Sequence, residues 1–327
     1  MTGCAAETDR EALGAMGEVD GFVANEAKLD ARSWNLPEPH EARRQTRTRA
    51  FIGVQNGCDH ACTFCVIPQG RGPSRSLPII DVLREVESHL EQGAPEIVLT
   101  GVDVTSWGHD LPDRPPLGQL VQAILQTFPN LPRLRMSSLD GIEIDPLLFE
   151  LFASERRLMP HLHLSLQHGH DLILKRMKRR HSRAQAVDLV TRLRERRPDL
   201  AVGADLIAGF PTESDEHQQA NLSIISELRI VHAHIFPYSP RDATPAARMP
   251  QVDRATVKAR AADLRALAAT TQTEWLASLV DKPLSVLAER DGSGYAENFA
   301  RVALPDGMAA GTIATLTPRA IEGRLLV

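Results

Sequence analysis

The chain has 327 residues, a formal net charge of -5 and 43% hydrophobic residues, which is typical of a globular protein with one large domain and one or two small ones. This mild charge gives no global field that would attract nucleic acid, so such a role has to come from local patches. No apolar stretch approaches the roughly 20 residues of a membrane span, and the first residues lack the pattern of a signal peptide. With only 4 cysteines and no disulfide pattern, the chain is expected in the reducing cytoplasm, with no membrane partner.

The N-terminal segment is predicted to be a remnant, with a helix over 5–15, a strand over 21–24 and a charged connector at 36–48. From Arg49 onward, apolar strands alternate with helices of amphipathic spacing. Such alternation predicts parallel βα units, and six units predict an incomplete barrel. The predicted strands are 50–54, 96–100, 133–137, 161–166, 201–207 and 231–236, and the predicted helices are 78–91, 117–128, 145–153, 183–196, 213–228 and 253–278.

The last segment, 281–327, changes character. Short strands at 284–288, 300–304 and 312–316 are separated by glycine-containing turns, which predicts a small all-β domain. The predicted fold class is therefore α/β: a partial (βα)6 barrel with a remnant N-terminal segment and a small C-terminal all-β domain. The predicted domains are 1–44, 45–278 and 279–327.

Cys58, Cys62 and Cys65 form a C-x3-C-x2-C run, GCDHACTFC, directly after the first predicted barrel strand. Thiolates this close together typically hold an iron–sulfur cluster or zinc. Structural zinc takes four ligands, usually as two separated pairs, and no second pair follows. Three thiolates suit a cubane 4Fe–4S cluster with one open iron. The loop also lies at the strand end where such barrels carry their chemistry.

This spacing, with Phe64 immediately before the third cysteine, resembles the signature of the radical S-adenosylmethionine superfamily. The resemblance implies that the open iron binds S-adenosyl-L-methionine and that an electron from the cluster cleaves it to a 5′-deoxyadenosyl radical. Six further segments, in order, closely resemble the methylthiotransferases. These segments are 66–76, 97–108, 137–145, 161–181, 205–214 and 236–250.

Within the methylthiotransferases, the run GCDHACTFCVIPQGRG is similar to the branch that modifies C2 of N6-threonylcarbamoyladenosine next to the tRNA anticodon. The segment 279–327 resembles the RNA-binding β-barrel, or TRAM domain, of that family. The resemblance implies that tRNA and a cellular reductant are the partners. Two alternatives stay open: the branch that modifies an aspartate of a ribosomal protein, and a non-catalytic RNA-binding remnant.

Cofactor contacts are expected on the loops after the first strands. Gly101 would let the backbone approach the cofactor closely. Asp103 would face the ribose or the amino group of the nucleoside, or would instead cap its own loop. Arg71 and Arg75 flank the cysteine loop and are expected to pair with the cofactor carboxylate, a geometry that arginine favours.

Further contacts are expected after the later strands. Gln167 follows a strand end, where a polar side chain would touch cofactor or substrate. Ile207 and Gly209 match the adenine-contact segment that the resemblance implies, and Glu213 either belongs to this segment or is an acid at a helix start. His161 and His163 share one face of a strand, as core or loop-facing residues. No catalytic residue is assigned.

Two features bear on RNA binding. The run 175–183, KRMKRRHSR, is the densest basic stretch. It either clamps RNA phosphates or forms a solvated helix end. In the C-terminal domain, Tyr295 and Phe299 are the only candidates for stacking on single-stranded bases.

Cys4 marks a departure from the family pattern. Methylthiotransferases carry an N-terminal domain whose three cysteines hold a second 4Fe–4S cluster, and only Cys4 matches that set. Because one thiolate cannot hold a cubane, Cys4 is expected to be a ligand of an incomplete second cluster. We expect an N-terminally truncated chain rather than a degraded relative, one that cleaves the cofactor without inserting sulfur.

Overall fold

The computed structural model describes residues 1–28, 30–35 and 48–327. The connector predicted at 36–48 therefore lies outside the described residues except for Thr48, and so does the predicted boundary between 44 and 45. The strands are β1 (Arg49–Gly53), β2 (Gln55–Asn56), β3 (Arg75–Ser76), β4 (Glu96–Thr100), β5 (Arg133–Met136), β6 (His161–Gln167), β7 (Ala201–Ala208), β8 (Ile230–Pro237), β9 (Leu284–Ala288), β10 (Ser293–Ala296), β11 (Arg301–Ala303), β12 (Ile313–Leu316), β13 (Ile321–Glu322) and β14 (Leu325–Leu326). The helices are α1 (Cys4–Thr8), α2 (Arg10–Gly14), α3 (Ile67–Arg71), α4 (Ile79–Glu91), α5 (Leu117–Thr127), α6 (Pro146–Ser154), α7 (Asp171–Arg176), α8 (Arg183–Arg196), α9 (Asp215–Glu227) and α10 (Arg254–Ala277).

Six parallel strands form the partial barrel. They make two sheets of three, β1-β4-β5 and β6-β7-β8, which two isolated parallel bridges join, Leu134 with Leu158 and Leu139 with Leu164. The strand order follows the chain, as right-handed βα crossovers require. The predicted α/β fold with an incomplete barrel is therefore confirmed, and β1 and β8 are its open edges.

The barrel strands have an apolar face and a polar face because their side chains alternate. On β6, Leu162, Leu164 and Leu166 lie in the main hydrophobic core beneath the helices. The intervening His161 and His163 therefore point to the concave inner face, the lumen. Helices cover the outer face, and α8 and α9 each begin at a serine, Ser182 and Ser214, that forms a capping box.

The C-terminal segment folds into a six-stranded sheet of order β12-β9-β10-β11-β14-β13, as the predicted all-β domain requires. Of its strands, β10, β13 and β14 are not predicted from the sequence. A second small core joins this sheet to the end of α10, with Leu276, Val286 and Val302 among its buried residues. The sheet lies against the N-terminal ends of the barrel strands, which we call the floor.

At the N-terminus, the helix predicted at 5–15 is split into α1 and α2. The strand predicted at 21–24 is wrong, since these residues form no strand and no neighbouring strand pairs with them in the described ranges. The segment is held by α1, which packs on α3 beside the cysteine loop. Among the described residues, no helix combines the length and the apolar character needed to cross a membrane.

Candidate metal centre

The cysteine loop begins where β1 ends, at the C-terminal end of the barrel, which we call the rim. Strands β2 and β3 pair antiparallel and close its base, Gln55 opposite Ser76 and Asn56 opposite Arg75. Gly57 adopts a φ of 77°, and a Cβ atom there would lie 1.9 Å from the carbonyl oxygen of Pro73. Only glycine fits such a position, so the path of the loop into Cys58 depends on Gly57.

Each of the three sulfurs in the loop accepts a hydrogen bond. The backbone N–H of His60 donates to Cys58 Sγ and that of Ile67 to Cys65 Sγ, both at 3.4 Å. The third sulfur, on Cys62, accepts from Arg179 Nη1 at 3.7 Å. Donors of this kind stabilise thiolates that ligate iron–sulfur clusters.

The donor set fits a cubane cluster. All four cysteines of the chain lie in the described ranges, and all are free and half-buried. Burial raises the pKa of Cys65 and is the main cause that raises the pKa of Cys58 to about 12. These side chains would therefore be neutral thiols without a metal, whereas a bound metal deprotonates its thiol ligands. The site is built for metal ligation rather than for a free nucleophilic thiolate.

Gln55, which the sequence did not single out, ties the cysteine loop to the end of β4. Its Nε2 donates to the carbonyl oxygen of Gly57 and to Ser74 Oγ, each at 2.9 Å. Its Oε1 accepts from the backbone N–H groups of Val102 and Asp103, at 3.1 and 2.9 Å. The only sequence signal for this role was a polar residue at the end of a buried strand.

Gly101 and Asp103 lie beside the cysteine loop. A Cβ atom at Gly101 would approach Gln55 Oε1 to 2.9 Å, so the glycine gives room to that side chain. Asp103 Oδ2 accepts from Ser106 Oγ at 2.7 Å and lies 3.6 Å from Cys58 Sγ. The same carboxylate meets His60 Nε2 at 2.7 Å. Asp103 is thus placed at the metal loop by its own hydrogen bonds.

A rim network of His60, Asp103, Asp140, Glu143, Arg179 and Arg180 borders the loop. Hydrogen bonds to Asp103 and then to Glu143 raise the pKa of His60 to about 9. Arg180 Nη2 also lies 2.8 Å from His60 Nε2, but a protonated nitrogen donates to the carboxylate and cannot accept from a guanidinium. His60 lies inside the cysteine run, yet its spacing gave no sign of this contact.

Three arginines of the basic run at 175–183 form ion pairs with acids of the same chain. Arg179 Nη2 pairs with Asp140 Oδ2 at 2.8 Å, and Arg180 pairs with Asp140 and Glu143. Arg183 pairs with Glu227. These arginines are therefore not free phosphate ligands, contrary to that interpretation of the run. The acids that hold them come from distant segments, so the run looked unopposed in the sequence.

Four cations near the rim have no acidic partner among the residues that the structure describes. Arg71 Nη1 donates to Asn56 Oδ1 at 3.2 Å, and Arg75 Nη2 donates to the carbonyl oxygen of Arg71 at 3.1 Å. Lys175 and Lys178 are exposed at the end of α7. Their charges are available to an anionic ligand.

The residues expected to contact the cofactor at the ends of β6 and β7 lie at the rim, but their surroundings differ. Gln167 ends β6 with a φ of 69°, a backbone region that non-glycine residues seldom adopt. Ile207 is buried with Phe64 and Phe210. Gly209 has a φ of 70°, and a Cβ atom there would lie 2.5 Å from Val257 Cγ2, so its glycine serves the packing of α10.

Glu213 is neither an exposed acid nor the start of α9. Its buried carboxylate accepts from the N–H groups of Gly209 and Phe210 at 3.0 and 3.2 Å. It also pairs with Arg260 at 3.0 Å and with His168 at 3.2 Å. Glu213 therefore fixes the turn after β7 from behind, and the helix-start interpretation is wrong because Ser214 caps α9.

Tyr295 and Phe299 do not lie on a free surface. Their rings stack on each other with centroids 4.6 Å apart, and the ring of Phe299 stacks on that of His161 at 4.9 Å. Arg49 lies over Tyr295 at 4.8 Å. Both aromatics belong to the contact between the C-terminal domain and the barrel floor, so we do not assign them to base stacking.

Cys4 lies next to the cysteine loop. It begins α1, and its Cβ atom would be 2.9 Å from a Cβ atom built on Gly70 of α3. Asn25 links the two segments, since its Nδ2 donates to the carbonyl oxygen of Gly70 at 2.8 Å and lies 3.7 Å from Cys4 Sγ. The N-terminal segment thus brings a fourth thiol to the rim, and its role as a cluster ligand stays a prediction.

Several known proteins are similar to this chain. The model of the radical SAM superfamily matches residues 52–222. The threonylcarbamoyladenosine tRNA methylthiotransferase MtaB of Rickettsia prowazekii (strain Madrid E) is 42% identical over 329 residues, which cover 96% of this chain and 78% of that protein. The tRNA-2-methylthio-N(6)-dimethylallyladenosine synthase of Paracoccus denitrificans (strain Pd 1222) is 36% identical over 282 residues, which cover 86% of this chain and 63% of that protein.

A solved structure shares the fold. The radical S-adenosylmethionine methyltransferase TsrM from Kitasatospora setae, with cobalamin and a [4Fe-4S] cluster bound, superposes with a TM-score of 0.50 and 18% identity. The match covers 67% of this chain and 52% of that chain. At this identity the likeness concerns the fold alone, and it agrees with the partial barrel described above.

Proposed function

We propose that this chain, which belongs to the radical SAM superfamily and within it to the tRNA methylthiotransferases, adds a methylthio group to C2 of N6-threonylcarbamoyladenosine next to the tRNA anticodon. The observation that carries the proposal is the loop of three free thiols at the rim, each accepting a hydrogen bond. The greater similarity to the threonylcarbamoyladenosine enzyme than to the dimethylallyladenosine enzyme supports the choice of nucleoside.

Cys58, Cys62 and Cys65 would hold a 4Fe–4S cluster, which together with S-adenosyl-L-methionine supplies the radical chemistry when bound. The task of the chain's own residues is to place these groups. The N–H groups of His60 and Ile67 and the guanidinium of Arg179 stabilise negative charge on the three sulfurs. Gln55 fixes the loop relative to the segment that carries Gly101 and Asp103.

The cofactor would lie across the rim. In this proposal Arg71 and Arg75 pair with its carboxylate, since no acid among the described residues neutralises them and arginine binds carboxylates through two parallel hydrogen bonds. Its nucleoside would meet residues at or just after the C-terminal ends of β4, β6 and β7. The residues proposed for this contact are Gly101, Asp103, Gln167, Ile207 and Gly209.

The RNA substrate would approach the same end of the barrel. Lys175 and Lys178 are exposed there and carry unopposed charge, so we propose that they contact tRNA phosphates. We place the enzyme in the cytoplasm, where it meets tRNA and a cellular one-electron reductant. The RNA contribution of the C-terminal domain would come from its outer surface, because its two stacked aromatics face the barrel.

Nucleoside analysis tests this proposal. The chain is produced in a bacterial host that makes N6-threonylcarbamoyladenosine but lacks its methylthiolating enzyme, and the tRNA is digested and examined by mass spectrometry. We expect the 2-methylthio derivative of N6-threonylcarbamoyladenosine with the wild-type chain and none with Cys62→Ala. Its absence with the wild-type chain would instead support the expectation, based on Cys4 alone, of cofactor cleavage without sulfur insertion. In parallel, anaerobically reconstituted protein with S-adenosyl-L-methionine and dithionite should release 5′-deoxyadenosine.

The two readouts separate the parts of the proposal. Deoxyadenosine without modified tRNA would contradict methylthio transfer to tRNA but keep the cluster assignment. A methylthio group on dimethylallyladenosine, or on a ribosomal-protein aspartate, would contradict the choice of substrate. Equal deoxyadenosine from wild type and Cys62→Ala would contradict the cluster assignment itself.

A further inference from the structure

Four histidines line the lumen below the rim, and the proposed function uses none of them. His161 and His163 lie on β6, and His232 and His234 lie on β8. Strand β7, between them, contributes Gly203 and Asp205 to the same face. This is the case because Val202, Ala204 and Leu206 of β7 lie in the main core on the opposite face.

Three of these side chains converge. Asp205 Oδ1 lies 3.1 Å from His163 Nε2 and 3.0 Å from His234 Nδ1. The three ligand atoms all lie within 4.8 Å of one another. Two donors bound to one ion at about 2.1 Å and at right angles to each other are roughly 3.0 Å apart. The two distances from Asp205 are hydrogen-bond distances, and they also match the spacing of neighbouring ligands on one divalent ion.

The charge at Asp205 favours a cation. Burial raises the pKa of Asp205, but the hydrogen bonds to His163 and His234 outweigh it and lower the pKa to about 2. The carboxylate is thus ionised at neutral pH. Among the described residues, no arginine or lysine forms an ion pair with it, and its only basic neighbours are the two imidazoles.

The backbone makes room for one of the ligands. A Cβ atom at Gly203 would lie 2.3 Å from His163 Nδ1, so any other residue there would displace the imidazole. Beneath it, both ring nitrogens of the buried His161 lack a hydrogen-bond partner, as does Nε2 of His232. The lumen thus holds more buried nitrogen donors and acceptors than the protein itself satisfies.

We infer that His163, Asp205 and His234 form a mononuclear site for a divalent transition ion of the Fe²⁺ to Zn²⁺ class, separate from the cysteine loop. Two imidazoles and one carboxylate are a ligand set that leaves open coordination positions. The site is accessible, because the side chain of His234 is 63% exposed. A cavity of about 300 Å³ at the open edge of β8, lined by His232, His234, Arg265 and Gln272 among others, borders His234.

Cobalt(II) is the probe that tests this inference. It is titrated anaerobically into protein whose cysteine loop has been loaded with iron and sulfide, without substrate or S-adenosyl-L-methionine. We expect one equivalent to bind, with visible absorption bands of nitrogen and oxygen ligation and without a sulfur-to-cobalt charge-transfer band. His234→Gln and Asp205→Asn should each weaken binding at least about tenfold. Gly203→Ala should do the same by displacing His163.

The control is His170→Gln. The ring of His170 lies 4.4 Å from that of His217, a histidine pair without a bridging carboxylate, so the variant should bind cobalt as wild type does. Absence of binding in wild type, or equal affinity in His234→Gln and Asp205→Asn, would overturn the inference and leave a hydrogen-bonded triad. Since His234 is exposed, His234→Gln decides the matter even if Gly203→Ala fails to fold. The result does not depend on the proposed transferase activity.

Discussion

Arginine–carboxylate pairs occur at both ends of the barrel but stabilise different parts of the protein. At the rim, Arg180 pairs with Asp140 and Glu143 while its side chain stays 40% exposed. At the floor, Arg135 pairs with Glu96 at 2.9 Å, and these side chains are 3% and 1% exposed. The rim pairs join two segments that border the cysteine loop, whereas the floor network connects the barrel to the C-terminal domain.

The floor network consists of Arg49, Glu96, Arg133, Arg135 and Glu289. Arg133 donates to the carbonyl oxygens of Ser285 and Tyr295 at 2.7 and 3.1 Å. Arg49 Nε donates to Glu289 Oε1 at 2.8 Å. Because water is excluded there, each charge depends on its partners far more than at the rim. Similar ion pairs therefore hold two domains together at the floor and position a loop at the rim.

The largest effect is expected from Glu96→Gln at the floor. This change removes the direct ion-pair partner of the buried Arg133 and Arg135, and the loss of one partner of a buried pair costs about 3–5 kcal/mol. The measurement is the free energy of unfolding by urea. Asp188→Asn, in an exposed pair with Arg192, is the matched control and should change stability by less than about 1 kcal/mol. Equal effects in the two variants would contradict the claim that the buried floor pairs contribute more to stability than an exposed ion pair does.

Gly57→Ala should give the next largest effect, and at the rim. At this positive φ, the added Cβ atom would lie 1.9 Å from the carbonyl oxygen of Pro73, so the loop has to move. The expected cost is a local strain of roughly 1–3 kcal/mol. We expect the iron content of reconstituted protein to fall while the circular dichroism spectrum stays that of wild type. Gly292→Ala, also at positive φ but with open space around it, is the control. Full iron retention in Gly57→Ala would contradict our account of the loop.

Gln55→Ala should have a smaller effect on the same readout. It leaves the N–H groups of Val102 and Asp103 without their acceptor, a loss of about 1–3 kcal/mol where these groups stay buried. Iron should still be incorporated but should be released faster to a chelator. Gln92→Ala, at an exposed helix end, should leave the release rate unchanged. An unchanged rate in Gln55→Ala would show that β4 does not position the cysteine loop.

Arg180→Gln should have the smallest effect. Its pairs with Asp140 and Glu143 are partly solvated, so stability should fall by less than about 1 kcal/mol. Arg179→Gln should change the absorption spectrum of the bound cluster more than Arg180→Gln does, because only Arg179 contacts a cysteine sulfur. Identical spectra for both variants would argue against a positioning role for the rim network.

The barrel was predictable because its strands and helices carry local, periodic patterns. Each predicted barrel strand from 50–54 to 231–236 is present within one or two residues. The strand at 21–24 failed because a strand needs a partner, which a local pattern does not supply. The cysteine loop was found because its three ligands are close in sequence.

The surroundings of the site were not predictable, since the topology assembles them. Asp140 precedes Arg179 by 39 residues, and nothing near either one shows that they pair. Phe299 was only a candidate for base stacking, because an aromatic residue alone does not show whether it is exposed, and its ring stacks on that of His161. His163, Asp205 and His234 come from three successive strands, so their convergence depends on the register of β6, β7 and β8.

The floor network also has a consequence for the order in which the chain folds. Its contacts with the C-terminal sheet join residues separated by 152 to 240 positions, such as Arg133 with Ser285 and Arg49 with Glu289. On a ribosome, the barrel strands emerge long before the segment that begins at β9. Their buried charges must stay hydrated until that segment arrives. The floor of the partly synthesised barrel therefore stays exposed to water. The barrel reaches its final packing only late in synthesis, when the C-terminal sheet is complete.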